Sequence, residues 1–263
     1  IYVIVIAKFF PASSVGAFFF AQKIQSTLLH QLTISIQNVT YPALATIQGE
    51  DERLKNAYRK IIQLTTYIIS PSMVFLTILA PALFSTFLHE RWVIAVTYLQ
   101  VLCISGLMYP LHAINQNLLQ VKGRSDLFLY LEIFKKISVI ITLFLTLPFG
   151  IIPMLWGRVL TSVLNYLPTV YFTNKVAKYS ISEQIKDVLP IFLSSFLAGG
   201  TLVIFDRFLE LPVNSLWSLL IRTALGGALF ITTSYLLKLE SQRTILHIAK
   251  QQLNLKTHLA KED

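Results

Sequence analysis

Polar side chains recur along one stripe near the start of the chain. Lys23, His30 and Gln37 are spaced seven residues apart, and residues at this spacing share one face of a helix. An apolar environment cannot satisfy so many polar groups, so the stripe indicates either a wet cavity or hydrogen bonds between helices. We favour the cavity, most strongly for Lys23, and count the neighbouring Gln22 and His30 as further cavity candidates.

Three other cations interrupt apolar runs. Lys8 either faces the same cavity or extends its aliphatic stem to an interface, and it is kept as a candidate. Arg158 could face a lumen and bind an anion, because a guanidinium donates two parallel hydrogen bonds to a phosphate. Arg158 or Arg222 could equally anchor at an interface. Buried or membrane-embedded charges are costly and therefore candidates for function.

A second cluster predicts structure rather than function. Glu132 precedes Lys135 by three residues and Lys136 by four, which is the spacing of ion pairs on one helix face. No metalloprotease, nucleophile-elbow, phosphate-loop or CxxC motif is present, and the single Cys103 implies neither disulfide nor zinc. We therefore predict no catalytic residues, no metal and no cofactor, and that the protein is not an enzyme.

Composition identifies the environment of these residues. Hydrophobic residues make up 54% and charged residues 13% of the chain, and the mean hydropathy is +0.63. A soluble domain contains about a quarter charged residues, so lipid must form part of the solvent. The net charge of +9 does not predict nucleic-acid binding, because basic cytoplasmic loops are expected in any polytopic membrane protein.

The apolar runs predict an all-α polytopic membrane protein, since a bilayer-crossing helix needs roughly 20 mostly apolar residues. Buried helices of a soluble protein would not give repeated runs this long. We predict one partial span and about seven full ones, at Ile1–Phe10, Ser14–Ile47, Ala57–Leu88, Trp92–Val121, Leu127–Leu147, Ile151–Phe172, Val188–Phe205 and Ser215–Leu237.

Alternate connections carry most of the basic residues that lie outside the predicted spans. The other connections contain only Arg91 and Arg207 and are short, which leaves no room for an extracytoplasmic catalytic domain. The positive-inside rule places the basic set, and the C-terminus, in the cytoplasm. The basic set comprises Arg53, Lys55, Arg59, Lys60, Lys122, Arg124, Lys175, Lys178 and Lys186, with Lys238, Arg243, Lys250, Lys256 and Lys261 in the tail.

The order of several motifs resembles oligosaccharide flippases of the Wzx type, which share a superfamily with the multidrug-and-toxin extruders. The motifs are GAFFFAQ from Gly16, IQNVTYPAL from Ile36, the pair Arg91-Trp92, INQNLLQVKGRSDLFL from Ile114 with LEIFKK from Leu131, and then Tyr179, Gln184, Lys186, Asp187 and Pro190. Phe18, Ala45 and His89 depart from residues that are common in the family.

The resemblance covers the chain to about Leu237 and implies the later part of a two-lobe transporter. Residues 1–177 would form the second six-helix lobe with its first span truncated, and 178–237 two additional transmembrane helices. Residues 238–263 would form a basic cytoplasmic tail, which could be an amphipathic helix on the membrane surface.

Function follows from the resemblance as an expectation. Such proteins move an oligosaccharide linked to undecaprenyl pyrophosphate from the cytoplasmic to the outer leaflet of the bacterial inner membrane, with proton or sodium coupling. The expected partners are this lipid-linked cargo, membrane lipids, a polysaccharide polymerase and a chain-length regulator. Alternatives are a MATE-type exporter of small molecules, a polysaccharide polymerase and a flippase for peptidoglycan precursors. The basic character of the embedded charges favours an anionic cargo.

Overall fold

The computed structural model describes residues 1–88, 92–209, 212 and 215–246. All regular structure within these residues is helical, as the sequence predicted. The helices are α1 (Tyr2–Phe9), α2 (Ala12–Thr46), α3 (Asp51–Phe87), α4 (Val93–Gly106), α5 (Tyr109–Val121), α6 (Ser125–Thr146), α7 (Ile151–Ala177), α8 (Ile181–Leu209) and α9 (Leu216–Leu236), with a 3₁₀ turn at Leu147–Phe149. Residues 240–246 are also helical.

Local sequence explains several helix ends. Phe10 is extended and separates α1 from α2, as expected for a residue that precedes proline, here Pro11. At the start of α8, the Ser180 hydroxyl accepts a hydrogen bond from the Glu183 amide at 3.3 Å, and the Glu183 carboxylate accepts one from the Ser180 amide at 2.8 Å. This reciprocal pair is a capping box, which satisfies amides that lack a helical partner.

The predicted span Trp92–Val121 is bent in the structure. The structure divides it into α4 and α5, which meet at an angle of 40°. Pro110 lies at the start of α5 and has no N–H to donate to the carbonyl of Gly106, with which its ring would also clash in a continuous helix. The apolar run is therefore one bent pair of helices rather than one straight helix.

The polytopic membrane character is confirmed, although not every helix is equally apolar. Among the described residues, α3, α8 and α9 are long and apolar enough to cross a membrane, and the bent pair α4–α5 meets the same standard as one unit. Helices α2, α6 and α7 lie where the sequence predicted spans, but their polar residues keep them below that standard. These three helices also line the cavity described below, together with α5 and the last turn of α4.

Helix α3 lies at the centre of the bundle and packs against α2, α4, α5, α8 and α9. Helix α2 packs along α4, and α6 pairs with α7 through a short connection. A large apolar cluster fills the space between α2, α3 and α4, with Phe18, Met73 and Leu99 fully buried. The predicted boundary at residue 177 coincides with the end of α7, and the division of the chain into two units stays a prediction.

The three basic connections lie at the same end of the bundle, here called the basic end. Lys122, after α5, contacts Asp51 at the start of α3 at 2.7 Å. Lys55 on α3 pairs with Glu183 at the start of α8 at 2.9 Å. The side of the membrane that this end faces stays a prediction, and so does the predicted amphipathic tail. His89, Arg91 and residues 247–263 of that tail lie outside the described residues.

Candidate functional site

A polar cavity of about 880 Å³ lies between α2, α5, α6, α7 and the last turn of α4. Its wall is dominated by amides, hydroxyls and cations, although it lies among otherwise apolar helices. The polar lining residues are Lys23, Gln25, Ser26, Thr27, His30, Gln31, Gln37, Ser105, Tyr109, His112, Gln116, Asn117, Gln120, Lys135, Arg158, Thr161, Ser162 and Asn165.

The cavity is positively charged. Lys23, Lys135 and Arg158 line it from three different helices, and none of its described lining residues is an aspartate or glutamate. Within the described chain, Lys23 and Arg158 form no ion pair, and Arg158 lies 5.6 Å from the centre of the Tyr2 ring. Lys135 has a carboxylate 3.7 Å away, on Glu132. Such a cavity can bind an anion whose hydration shell has been removed.

The polar residues of α2 both line the cavity and form hydrogen bonds to neighbouring helices. Lys23, His30 and Gln37 all line the cavity, as their shared face predicted. Gln25 instead donates to the carbonyl of Leu102 at 3.2 Å and ties α2 to α4. The 3.4 Å hydrogen bond from Gln37 to Asn117 joins α2 to α5 within the wall.

The structure places only some of the predicted candidates together. Lys23, His30 and Arg158 line the cavity, whereas Lys8 and Gln22 do not. The Lys8 side chain is exposed and lies 5.9 Å from the centre of the neighbouring Phe9 ring. The side-chain oxygen of Gln22 is buried without a hydrogen-bond partner. Gln22 lies about 100° around the helix from Lys23, off the face that Lys23, His30 and Gln37 share, which agrees with its place outside the cavity lining.

Sequence reasoning assigned Lys135 to a local ion pair, and the pair with Glu132 is confirmed at 3.7 Å. Lys135 lines the cavity as well. The closer partner of Glu132 is Gln116 on α5, which donates at 2.6 Å. The sequence contained a signal for this contact: the QVKGR turn at residues 120–124 joins α5 to α6, which makes the two helices neighbours and brings Gln116 towards α6.

Other lining residues were not predicted at all. His112 lies on α5, and its Nε2 is 2.9 Å from the carbonyl oxygen of Ser162 on α7. Its ring meets that of Tyr166 edge to face, with 6.2 Å between centres. Asn165, one turn beyond Ser162, completes this part of the wall. Nothing in the sequence separates these residues from ordinary helix-packing polar residues.

A group of paired side chains lies at the basic end and is here called the clamp. It consists of Lys55 and Arg59 on α3, and Tyr179, Glu183 and Asp187 at or near the start of α8. The Arg59 guanidinium donates two hydrogen bonds to the Asp187 carboxylate. The Tyr179 hydroxyl donates to the same carboxylate at 2.6 Å, and Lys55 pairs with Glu183 at 2.9 Å. The clamp holds α3 against α8.

A buried network continues inward from the clamp. The Tyr58 hydroxyl donates to Asn115 at 2.6 Å, and the Tyr166 hydroxyl donates to Gln184 at 2.9 Å. The Asn115 amide also donates to Gln184 at 3.4 Å. These four residues join α3, α5, α7 and α8, and each has the partner that burial demands. The network is therefore structural by its geometry.

The opposite end of the bundle accounts for Arg222. Its guanidinium pairs with Asp206 and joins α9 to α8, while the interfacial anchoring predicted for it stays a prediction. The pair borders a small pocket of about 140 Å³ against α3. Arg222 thus lies apart from the large cavity.

Comparison with known proteins agrees with the motif order. A family profile described as "Polysaccharide biosynthesis protein" matches residues 1–97. A Klebsiella pneumoniae protein named "Uncharacterized membrane protein in cps region" is 24% identical over 235 residues, which are 88% of this chain and 48% of that protein. The Escherichia coli K12 "Lipopolysaccharide biosynthesis protein WzxC" is 24% identical over 202 residues, 76% of this chain and 41% of its own length.

Two further proteins are similar. The Bacillus subtilis "Teichuronic acid biosynthesis protein TuaB" is 24% identical over 197 residues, 74% of this chain and 41% of that protein. The solved structure of "Lipid II flippase MurJ, inward closed conformation" has the same fold, with a TM-score of 0.70 at 17% identity over 85% of this chain and 47% of that one. The chain spans about half the length of the curated relatives it matches. The resemblance to Wzx-type proteins is thereby confirmed.

Proposed function

We propose that this chain forms part of a flippase that carries an oligosaccharide linked to undecaprenyl pyrophosphate from the cytoplasmic to the outer leaflet of a bacterial inner membrane. The confirmed resemblance to Wzx-type proteins supports this cargo, and so do the names of relatives in lipopolysaccharide and teichuronic acid biosynthesis. The relatives are not named as catalysts, and we propose that the protein is not an enzyme.

The observation that carries the proposal is the charge of the cavity. Lys23, Lys135 and Arg158 supply three cations, and the described wall contains no carboxylate. A pyrophosphate head group must lose its hydration to leave the aqueous phase, and that loss is costly unless fixed charges and hydrogen bonds replace the water. Guanidinium and ammonium groups both donate strong hydrogen bonds to phosphate oxygens.

The remaining lining suits the sugar part of such a cargo. Six amide side chains besides the buried Gln25 supply both donors and acceptors, as sugar hydroxyls require: Gln31, Gln37, Gln116, Asn117, Gln120 and Asn165. The basic end and the C-terminus would face the cytoplasm by the positive-inside rule. A polysaccharide polymerase and a chain-length regulator are the further partners we propose, together with the membrane lipids.

A pair of substitutions in the gene of the source strain tests the function. Lys23→Ala and Arg158→Ala each remove one unpaired cation, and we expect surface polysaccharide to fall below about a tenth of normal, since truncating a desolvated charge contact costs roughly 2–5 kcal/mol. Lipid-linked repeat units should accumulate in the membrane. Lys8→Ala serves as the matched control, because Lys8 does not line the cavity. Normal export by both variants at normal protein level would refute the proposal.

Deletion of the gene tests the alternative of a MATE-type exporter of small molecules. That class would require a cargo suited to the cavity, and the cationic wall disfavours the organic cations that such exporters carry. If deletion of the gene left surface polysaccharide intact and instead raised sensitivity to a panel of toxic compounds, the exporter would replace the flippase as the better interpretation.

A further inference from the structure

We propose that the wall between α5 and α7 contains a distinct binding site for a neutral sugar, formed by Tyr109, His112, Ser162 and Asn165. The inference rests on the proposed function and specifies which part of the cargo this wall would recognise. The cations of the cavity would bind the phosphates, and these four uncharged residues would bind the sugar that follows.

The first observation is an unused acceptor on His112. A carbonyl oxygen only accepts hydrogen bonds, so the contact with the Ser162 carbonyl at 2.9 Å requires the proton on Nε2. In the neutral ring, Nδ1 then carries a lone pair. This atom is buried and has no partner in the described chain. The histidine is thus held in one orientation with its acceptor unoccupied.

The second observation is the amide of Asn165. The residue is 5% exposed, and its side-chain oxygen is buried without a partner. No side-chain hydrogen bond of Asn165 to another described residue occurs, although its backbone carbonyl accepts from Thr169 at 2.8 Å. Leaving a buried acceptor unpaired costs about 1–3 kcal/mol, which a hydrogen bond from a bound ligand would offset.

The two atoms are set apart from other buried polar atoms by their position. The described chain contains six buried side-chain atoms without partners, on Tyr2, Gln22, Thr33, Thr66, His112 and Asn165. Only His112 and Asn165 also line the cavity. Both belong to the same wall, because His112 is hydrogen-bonded to Ser162 and Asn165 follows Ser162 by three residues on one helix face.

The neighbours of this pair match what a sugar presents. Tyr109 lies one turn before His112 on the same face of α5, lines the cavity and is 39% exposed, so its ring is available to the apolar face of a pyranose. Ser162 adds a hydroxyl that can donate or accept. Two sugar hydroxyls would supply one donor to each unused acceptor and could accept from the Asn165 amide nitrogen, whereas an ionised phosphate offers only acceptors.

The site also lies where a sugar next to a phosphate would be. Arg158 precedes Ser162 by four residues on α7, so the two share a face with a rise of about 6 Å between them. A sugar extending from a phosphate bound at Arg158 towards the basic end would therefore meet His112 and Asn165 about one helical turn away.

Binding measurements on the detergent-purified protein test the site with two probes. One is undecaprenyl pyrophosphate, and the other is the lipid-linked repeat unit extracted from the source strain. We expect Asn165→Ala to weaken binding of the glycosylated probe by about 3- to 10-fold, the effect of one lost hydrogen bond, and to leave undecaprenyl pyrophosphate binding unchanged. Because Asn165 makes no internal side-chain bond, this variant should fold normally.

Asn174→Ala is the matched control, an exposed asparagine on α7 that does not line the cavity, and it should bind both probes as the unaltered protein does. Tyr109→Ala should reproduce the selective loss. The inference is overturned if Asn165→Ala and Tyr109→Ala bind the glycosylated probe normally, or weaken binding of both probes equally. If the unaltered protein binds neither probe, the proposed function fails and the sugar site with it.

Discussion

The cavity and the clamp both contain lysine and arginine side chains, but they differ in whether these cations have carboxylate partners. In the clamp, Lys55 and Arg59 each have a carboxylate partner, and Asp187 also accepts from a tyrosine. In the cavity, Lys23 and Arg158 form no ion pair in the described chain. Charges that are paired hold helices together, and charges left unpaired at a concave wall are available to a ligand.

The hydrogen-bonding groups show the same division. Asn115 in the network beside the clamp has both ends of its amide paired, whereas the side-chain oxygen of Asn165 in the cavity has no partner among the described residues. Both asparagines are buried, so burial does not distinguish them. Completeness of pairing is the physical property that separates a structural polar residue from a binding candidate here.

The strongest test of this contrast is Asp187→Ala. It leaves the Arg59 guanidinium and the Tyr179 hydroxyl without their shared acceptor, and removing one partner of a buried ion pair costs about 3–5 kcal/mol. Because Arg59 is 44% exposed and can regain water, we expect a loss of about 2–3 kcal/mol. Thermal unfolding in detergent measures it, and a melting temperature equal to that of the unaltered protein would mean that the clamp is not structural.

Tyr58→Phe should have the next largest effect. The hydroxyl of Tyr58 donates to Asn115 at 2.6 Å in a fully buried setting, and its loss leaves an acceptor short of one donor. We expect destabilisation of about 1–2 kcal/mol. The same unfolding assay applies, with Tyr130→Phe as control, because the side chain of Tyr130 is exposed. Equal melting temperatures for the two variants would contradict the network's role.

Lys23→Ala should sharpen the comparison by changing stability very little. Lys23 has no ion-pair partner in the described chain to lose, and surface substitutions of this kind change stability by less than about 0.5 kcal/mol. Its melting temperature should therefore match that of the unaltered protein even though export is lost. A strong destabilisation would instead assign Lys23 to the structure and remove it from the site.

The smallest effect is expected at the exposed pair of Arg124 and Asp126, which meet at 2.8 Å at the start of α6. Arg124 lowers the pKa of the Asp126 carboxyl from its ordinary value to about 2. A depressed carboxyl pKa stabilises above the unfolded pKa of about 4, and the stabilisation is lost as the pH falls towards 2. At pH 7, Asp126→Asn should not resolvably change the melting temperature, because exposed pairs contribute little.

The fold was largely predictable because its signals are local. Runs of apolar residues between basic connections marked each helix, and the contacts of Lys122 and Lys55 confirm that alternate connections share one end. The break between α4 and α5 lies beside Pro110, inside the predicted span 92–121. Pro110 is the sequence feature that marks this break, because a proline can begin a new helix after a bend as readily as it can kink a single helix.

The site was predictable only in part, because a cavity is a property of several helices at once. Lys23 and Arg158 were predicted from the cost of a charge inside an apolar run. Lys135 was assigned to a local pair because i,i+3 spacing is visible in sequence and the facing helix is not. The acceptors of His112 and Asn165 could not be recognised, because whether a buried atom has a partner depends on neighbours far along the chain.

The clamp residues are far apart in the sequence, and this separation sets when they can pair during synthesis. Arg59 and Asp187 are 128 residues apart, and a ribosome adds about 5–20 residues per second, so roughly ten seconds separate the two during synthesis. Lys55 and Arg59 therefore lack their carboxylate partners on α8 while α4 to α7 are being synthesised. Synthesis of α8 supplies the carboxylates of Glu183 and Asp187. The docking of α8 onto α3 is therefore a late step in the assembly of the bundle.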